Sequence, residues 1–280
     1  MIVISRNFAL NVLDDVEAND LDLNNPIIGY SNIITTDNFQ SDEAEEFYPL
    51  ANLLNPSTNI VWKAETTDEQ YITITTNSAD LQDYVGLANH NFAHGGIAVS
   101  VEGFDGSDWA ELVAPVIPAD NSPIIFRFTP QVLVGLRVRF QSGSEPPALA
   151  VMYAGKLLVL QRRIYVGHTP LPYGRQSEII TGRSHSGHFL GRLLTGEFLT
   201  SQISMENITP IWYRLKMDPF IKASREEPFF FAWRPSSYPD EVGFCWTTSN
   251  PRPVNQRNNG MMSINFSIEG ISLSEPASLL

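Results

Sequence analysis

Apolar and polar side chains alternate along several segments of the chain, as expected for strands that bury one face. In QYITITT, at residues 70–76, isoleucines occupy every second position and polar or aromatic residues lie between them. The segments LRVRF, at 136–140, and MSINFSIE, at 262–269, alternate in the same way. Further predicted strands cover residues 59–64, 96–102, 123–128, 133–140, 148–153, 157–160, 198–205, 228–233 and 242–247.

Residues with turn propensity separate these strands. Gly, Pro, Asp and Ser recur about every ten residues, a spacing typical of all-β folds. The pattern therefore predicts a mainly β chain with a β-sandwich, because alternating α/β units would show helical periods between the strands. Residues 208–220 are predicted as a helix or as an irregular crossing.

Changes in composition along the chain predict three parts. Residues 1–50 lack periodicity and are rich in Asp and Asn, which predicts an extended acidic N-terminal arm. Residues 51–167 contain the first series of strands. Two prolines and two glycines within residues 165–175 indicate a boundary, so residues 168–280 are predicted as a second β-rich domain, a barrel or a sandwich.

The net charge of −13 argues against a nucleic-acid partner for the whole surface. Residues 1–120 carry 20 acidic and 2 basic residues, a net charge of −18, whereas residues 121–280 carry 11 acidic and 16 basic residues, a net charge of +5. This asymmetry suits head-to-tail or ring assembly. It equally suits two domains with different solvated faces.

A single cysteine, Cys245, excludes a disulfide within the chain and a cysteine-based zinc site. It lies between Phe244 and Trp246, so we expect a core thiol. The first twenty residues lack the basic and long apolar regions of a signal peptide. No window has 18 apolar residues, so no membrane span is expected and synthesis and folding are expected in a cytoplasm.

The loop FDGSDW contains two carboxylates, Asp105 and Asp108, around a Gly-Ser pair. Gly106 permits a positive φ, and Asp105 can accept hydrogen bonds within its own turn. A calcium loop needs more oxygen ligands at regular spacing. We therefore expect a structural turn between two strands.

The histidines give no strong metal pattern. His90 and His94 are four residues apart, but no glutamate follows His90 and Gly95 begins a glycine pair that would end a helix. His185 and His188 lack an evident third ligand. We expect these histidines to be polar loop residues, with no metal and no cofactor.

No pattern of a catalytic site is present. The sequence contains neither GxSxG nor GxxxxGK[ST], and no feature selects one pair among its many carboxylates. We therefore expect no enzyme activity and no catalytic residues.

The segment GIAVSVEGFDGSDWAELV resembles the central hairpin of discoidin-like, galactose-binding-like jelly rolls. LLNPSTNIVWKAE with Trp62, YITITT and LRVRFQSGSEPPALAVMYAGKLLVL are similar to the neighbouring segments, so the resemblance covers about residues 53–165. Members bind sugars or lipids through loops at one end, or hold assemblies together. The resemblance implies possible glycan contacts at Trp109, Asp105, Asp108 and His90, although Trp109, like Tyr84, also suits the core.

The later segments GRLLTGEFL, ITPIWYRLKMDPFIKASREEPFFFAWRP and NNGMMSINFSIEGIS resemble distal tail proteins of long-tailed bacteriophages. The resemblance implies a structural virion protein that forms a ring, hexameric in this family. Its partners would be copies of itself, the tail tube protein and the tail-tip hub protein, with a host-surface glycan as a further candidate. The expected location is the virion tail, with assembly in the host cytoplasm.

The segment EEPFFFAWRP predicts a strand buried on both faces, with Phe229, Phe231 and Trp233 on one face and Phe230 on the other. Either the strand is central to the domain core, or its second face meets a neighbouring subunit. Arg252 and Arg257 could contact that neighbour or belong to a solvated loop. The alternative function is a carbohydrate-binding module of a surface or secreted protein.

Overall fold

The alternating segments pair into three β-sheets. The structure, a computed structural model, describes residues 1–9, 23–76, 80–164, 167–256, 258 and 260–271. Its strands are β1 (Ile2–Ile4), β2 (Ile27–Gly29), β3 (Phe39–Ser41), β4 (Trp62–Lys63), β5 (Gln70–Thr75), β6 (Gln82–His90), β7 (Val99–Phe104), β8 (Trp109–Val116), β9 (Ile124–Gln131), β10 (Gly135–Phe140), β11 (Ala148–Gly155), β12 (Leu158–Val159), β13 (Arg175–Arg183), β14 (Phe189–Ile208), β15 (Phe229–Ala232), β16 (Val242–Thr247), β17 (Arg252–Asn255) and β18 (Met262–Ile271).

Helical structure is short. The helices are α1 (Phe92–Gly95), α2 (Pro210–Trp212) and α3 (Asp218–Ala223), with a π-helical turn at Tyr213–Met217 and 3₁₀ turns at Leu50–Leu54 and Leu171–Tyr173. The prediction of a mainly β fold is therefore confirmed. The described strands form open sheets and not a closed barrel.

Two five-stranded sheets face each other and form the sandwich. The outer sheet has the order β3-β5-β10-β7-β8, and the middle sheet has the order β1-β9-β6-β11-β4. The predicted alternation is confirmed in β5, where Ile72 and Ile74 are buried and the residues between them are half-buried. Trp62, Phe126 and Phe140 lie in the core between the two sheets.

The third sheet packs against the free face of the middle sheet. Its order is β12-β2-β15-β16-β18-β14-β13, and β17 pairs with β18. The two sheets contact each other through glycine positions. A Cβ atom at Gly86 would lie 2.7 Å from the ring of Phe230, and a Cβ atom at Gly29 would lie 2.6 Å from the ring of Tyr84. Each sheet thus seats one aromatic ring against the backbone of the other.

Residues 210–223, which form α2, the π-helical turn and α3 and which we call the helical segment, cover the opposite face of the third sheet. Phe220 of α3 packs edge-on against Phe229, with ring centroids 4.9 Å apart. Cys245 is fully buried in the same core, and burial raises the pKa of its thiol. The expected core thiol is present. Of the two alternatives for residues 208–220, a helix or an irregular crossing, the structure has short helical pieces joined by a π-helical turn.

The N-terminal segment contributes one short strand to each sheet. β1 pairs in parallel with β9 of the middle sheet, β2 pairs with β15 of the third sheet, and β3 pairs with β5 of the outer sheet. The described part of the predicted arm is therefore extended and paired along the body of the protein. Residues 10–22 lie outside the described residues, and the boundaries at residues 50 and 167 stay predictions.

The contact between Gly86 and Phe230 predicts a large effect of a small substitution. Phe230 is fully buried between two sheets, so its ring cannot move away from an added methyl group. We expect Gly86→Ala to lower the free energy of unfolding by about 1–3 kcal/mol, the usual cost of overpacking. Urea unfolding followed by tryptophan fluorescence measures the change.

Gly182→Ala is the matched control. A Cβ atom at Gly182 would have its nearest neighbour at 3.5 Å, an ordinary van der Waals distance. Equal stability of the Gly86→Ala variant and this control would contradict the proposed contact between the sheets.

Candidate functional site

The loop at residues 105–108 is a turn of the β7–β8 hairpin. The Asp105 carboxylate accepts backbone hydrogen bonds from Ser107 at 2.8 Å and from Asp108 at 3.2 Å. The bond from Ser107 is the main reason that the pKa of Asp105 lies below its usual value. Gly106 has a φ of 109°. The predicted turn is present, and both carboxylates are exposed at one end of the sandwich.

Trp109 begins β8 on the solvent side of the outer sheet, where its ring is already covered. The guanidinium carbon of Arg137 lies 4.2 Å from the centroid of the Trp109 ring and 4.7 Å from that of Tyr71. Arg137 is fixed in turn by Glu102, at 2.5 Å. Because Arg137 lies over the ring of Trp109, this ring is a poor platform for a sugar.

His90 lies at the opposite end of the sandwich and faces inward. It is only 6% exposed, its Nε2 lies 2.9 Å from the carbonyl oxygen of Ser122, and its ring stacks on Phe92 with centroids 4.3 Å apart. Burial lowers its pKa to about 4. Solvent barely reaches this side chain in the folded protein, and its contact with a glycan stays a prediction.

The four predicted glycan-contact residues do not form one site. Successive loops of an antiparallel sandwich alternate between its two ends. His90 ends β6, whereas Asp105 follows β7, which runs in the opposite direction. Tyr84, the other candidate, is fully buried, and its hydroxyl donates to the carbonyl oxygen of Ser31.

The predicted subunit-interface residues are also separated. Phe229 and Phe231 are 0% and 3% exposed and fill the core beneath the helical segment. In this structure both side chains therefore belong to the core, the first of the two alternatives for this strand, and a contact with a partner subunit stays a prediction. Trp233 is half-buried and stacks on Tyr238, with centroids 5.4 Å apart and planes at 6°.

Of the two arginines predicted at the subunit interface, one is described by the structure and one is not. Arg252 is exposed on β17. Arg257 lies outside the described residues.

A long hairpin that the sequence analysis missed carries the most unusual surface. β13 pairs along its length with residues 189–199 of β14, and β14 meets β18 from Leu199 onward. We call residues 175–199 the projecting hairpin. Six of its large apolar side chains are exposed: Ile179 37%, Ile180 60%, Phe189 67%, Leu190 68%, Leu193 61% and Leu194 56%.

The apolar side chains of the projecting hairpin lie on both of its faces. Ile179 is opposite Leu194, and Ile180 is opposite Leu193. Neighbouring positions on a strand point to opposite faces, so each face carries one of these pairs and one residue of the Phe189–Leu190 pair. In the sequence, these residues occur as three pairs of consecutive apolar residues, at 179–180, 189–190 and 193–194. This pattern was the signal that could have predicted the surface.

The described parts of the chain contain neither a cluster of metal ligands nor a membrane-spanning helix. No group of three or more His, Cys, Asp or Glu side chains in these parts could hold a metal ion. No helix among the same residues is long and apolar enough to cross a membrane.

Comparison with known proteins found neither a matching family model nor a matching curated protein. Among solved structures, chitosan-binding module 1 from a Paenibacillus sp. IK-5 chitosanase/glucanase matches 46% of this chain and 98% of its own, with 14% identity and a TM-score of 0.39. A family 32 carbohydrate-binding module from C. perfringens NanJ, in complex with galactose, matches 42% of this chain and 92% of its own. Its identity is 10% and its TM-score 0.37.

A putative alpha-L-fucosidase from Bacteroides thetaiotaomicron matches 45% of this chain but 28% of its own, with 18% identity and a TM-score of 0.39. The reported neighbours thus include both binding modules and partially matched enzymes. With TM-scores below 0.4, these likenesses carry no argument about the function of this chain.

The buried His90 predicts a pH dependence of stability. Its pKa of about 4 in the folded protein lies below its ordinary value of 6.5, so the unfolded chain binds the proton more tightly. The stabilising contribution of neutral His90 is complete above pH 6.5 and is lost as the pH falls towards 4. We expect the loss to be roughly 1.4 kcal/mol per pH unit within this window.

Urea unfolding of the wild type and of His90→Gln, at pH 6.5 and pH 5, measures this contribution. The variant keeps the carboxylates that titrate in the same range. The change in unfolding free energy between the two pH values, compared between wild type and variant, therefore isolates the contribution of His90. Identical slopes would show that His90 is not responsible.

Proposed function

We propose that the chain is a non-catalytic structural protein that assembles with further copies of itself through the projecting hairpin. The observation that carries the proposal is the set of six exposed apolar side chains on this hairpin. Contiguous exposed apolar patches mark interaction surfaces. A two-stranded ribbon alone is marginally stable in water, so contact with a neighbour both buries the patch and stabilises the hairpin.

The two apolar faces of the hairpin favour a heterologous contact. A two-fold pairing of hairpins covers one face of each and leaves the other in water. A hairpin inserted between two different surfaces of neighbouring subunits covers both. Heterologous contacts between identical subunits give rings where the rotation closes and filaments where it does not.

Charge supports the choice of a second copy as the partner. The projecting hairpin carries three arginines and two glutamates, whereas residues 1–120 of the chain have a net charge of −18. The acidic residues 1–120 of a neighbouring copy attract the hairpin, whose net charge is +1, during encounter, and complementary charges mainly raise the association rate.

The finer form of the proposal is a ring in the tail tip of a long-tailed bacteriophage. In that role the ring, hexameric by the resemblance, joins the tail tube protein to the tail-tip hub protein, and the protein is located in the virion after assembly in the host cytoplasm. This form rests on the sequence resemblance of the C-terminal segments alone.

The alternative is a carbohydrate-binding module, the class to which several reported structural neighbours belong. The residues predicted to contact a glycan do not support it, because His90 is buried and Arg137 lies over the ring of Trp109. The alternative needs a different site on the molecule.

Light scattering of the purified protein, with negative-stain images of the same sample, tests the assembly. We expect a mass of several chains for the wild type. The double variant Ile180→Thr/Leu193→Thr replaces one apolar pair with residues that keep β propensity. We expect this variant to be mainly monomeric, because the contact would then bury two threonine hydroxyl groups in place of apolar side chains.

Val254→Thr is the control, because Val254 is 57% exposed on β17 and lies outside the hairpin. A wild type that stays monomeric at high concentration would contradict assembly through the hairpin. So would a double variant with the wild-type mass.

A further inference from the structure

A cleft of about 410 Å³ lies where the sandwich meets the third sheet. One wall comes from the segment before β4, and the other comes from the α3–β15 connection and the end of β16. This volume falls within the range of small-molecule sites, which occur preferentially between domains. The side chains that matter for binding are Ser57, Thr58, Arg225, Glu226, Glu227 and Trp246.

Trp246 gives the cleft an aromatic wall. It is 37% exposed, whereas its neighbour Cys245 on the same strand is fully buried. A large indole surface in contact with water is unfavourable, and a ligand with an apolar face covers it. The C–H face of a pyranose ring is such a surface, and its hydroxyl groups remain at the rim.

Charged and hydroxyl groups surround this aromatic wall. Arg225, Glu226 and Glu227 follow α3 and are exposed, while Ser57 and Thr58 face them from the sandwich. Guanidinium and carboxylate groups form paired hydrogen bonds with neighbouring hydroxyls, and hydrogen bonds to charged groups are the stronger ones. Two carboxylates against one guanidinium disfavour an anionic ligand.

The backbone on both sides of the cleft is held in place. The side-chain amide of Asn89 donates to the carbonyl oxygen of Thr58. Across the cleft, the Thr247 hydroxyl donates to the carbonyl oxygen of Ser224 at 2.8 Å, and the Tyr153 hydroxyl donates to that of Pro228 at 3.2 Å. Positions fixed before binding reduce the entropy lost when a ligand is bound.

We propose that this cleft binds a pyranose unit of a neutral or amino-substituted carbohydrate, with Trp246 stacked on the sugar and Arg225, Glu226 and Glu227 bonded to its hydroxyl or amino groups. The inference rests on the carbohydrate-binding alternative and not on assembly through the hairpin. The proposed sugar site lies at the junction of the sandwich and the third sheet. Neither the sandwich alone nor the third sheet alone contains all of its residues.

Titration calorimetry of the whole chain tests the proposal. The probes are neutral hexose oligosaccharides, chitosan oligosaccharides and, as the acidic comparison, oligogalacturonate. We expect binding of a neutral or amino probe, with an affinity at least about tenfold lower in Trp246→Ala, which corresponds to about 1.4 kcal/mol. Trp246→Phe should retain much of the affinity, because it keeps an aromatic face.

Two further variants separate the cleft from other surfaces. Glu226→Gln/Glu227→Gln changes exposed side chains only, so it should fold normally and weaken binding. Trp109→Ala, on the outer sheet, should bind as the wild type does. Binding of none of these probes, preference for the acidic probe, or wild-type affinity in Trp246→Ala would overturn the proposal.

Light scattering of the same samples makes the two proposals distinguishable. The cleft variants leave the projecting hairpin unchanged, so they should have the wild-type assembly state. Loss of sugar binding in the cleft variants, with unchanged mass, would support the cleft without testing assembly. A monomeric wild type that still binds sugar would contradict assembly through the hairpin and leave the cleft proposal standing.

Discussion

The contact between two sheets, made by aromatic rings against glycine backbones, is the constraint on which the rest of the molecule depends. Phe230 packs on Gly86, and Tyr84 packs on Gly29. The third sheet therefore has apolar side chains on both faces, one against the middle sheet and one against the helical segment. Separating the layers would expose both Phe230 and Tyr84, and the cleft at their junction would lose one wall.

Much of the fold follows from local pattern, and the exceptions have physical reasons. β5, β15, β16 and β18 were predictable because apolar alternation or continuous apolar runs mark them. β6 was missed because nearly all its side chains are buried between two sheets, which removes the alternation. β1, β2 and β3 have three residues each, and so short a segment acquires its pairing from distant partners.

The sites were less predictable than the fold, because a functional surface depends on distant neighbours. The sequence showed that Trp109 follows an acidic turn, but not that Arg137 covers its ring. It showed three phenylalanines in one strand, but not that helical residues cover Phe229 and Phe231. The cleft joins residues 56–58 to residues 224–228 and 246–247, and no local pattern links such segments.

The pairing of the N-terminal segment has a consequence for the order of folding. Ile27 of β2 pairs with Ala232 of β15, and Ile2 of β1 pairs with Ile125 of β9. During synthesis, β1 and β2 cannot pair until β9 and β15, which lie far downstream in the chain, have been synthesised. Contacts between such distant residues slow folding and prolong the exposure of unpaired edges. β1 and β2 are thus synthesised before their partner strands and are among the last strands to be paired.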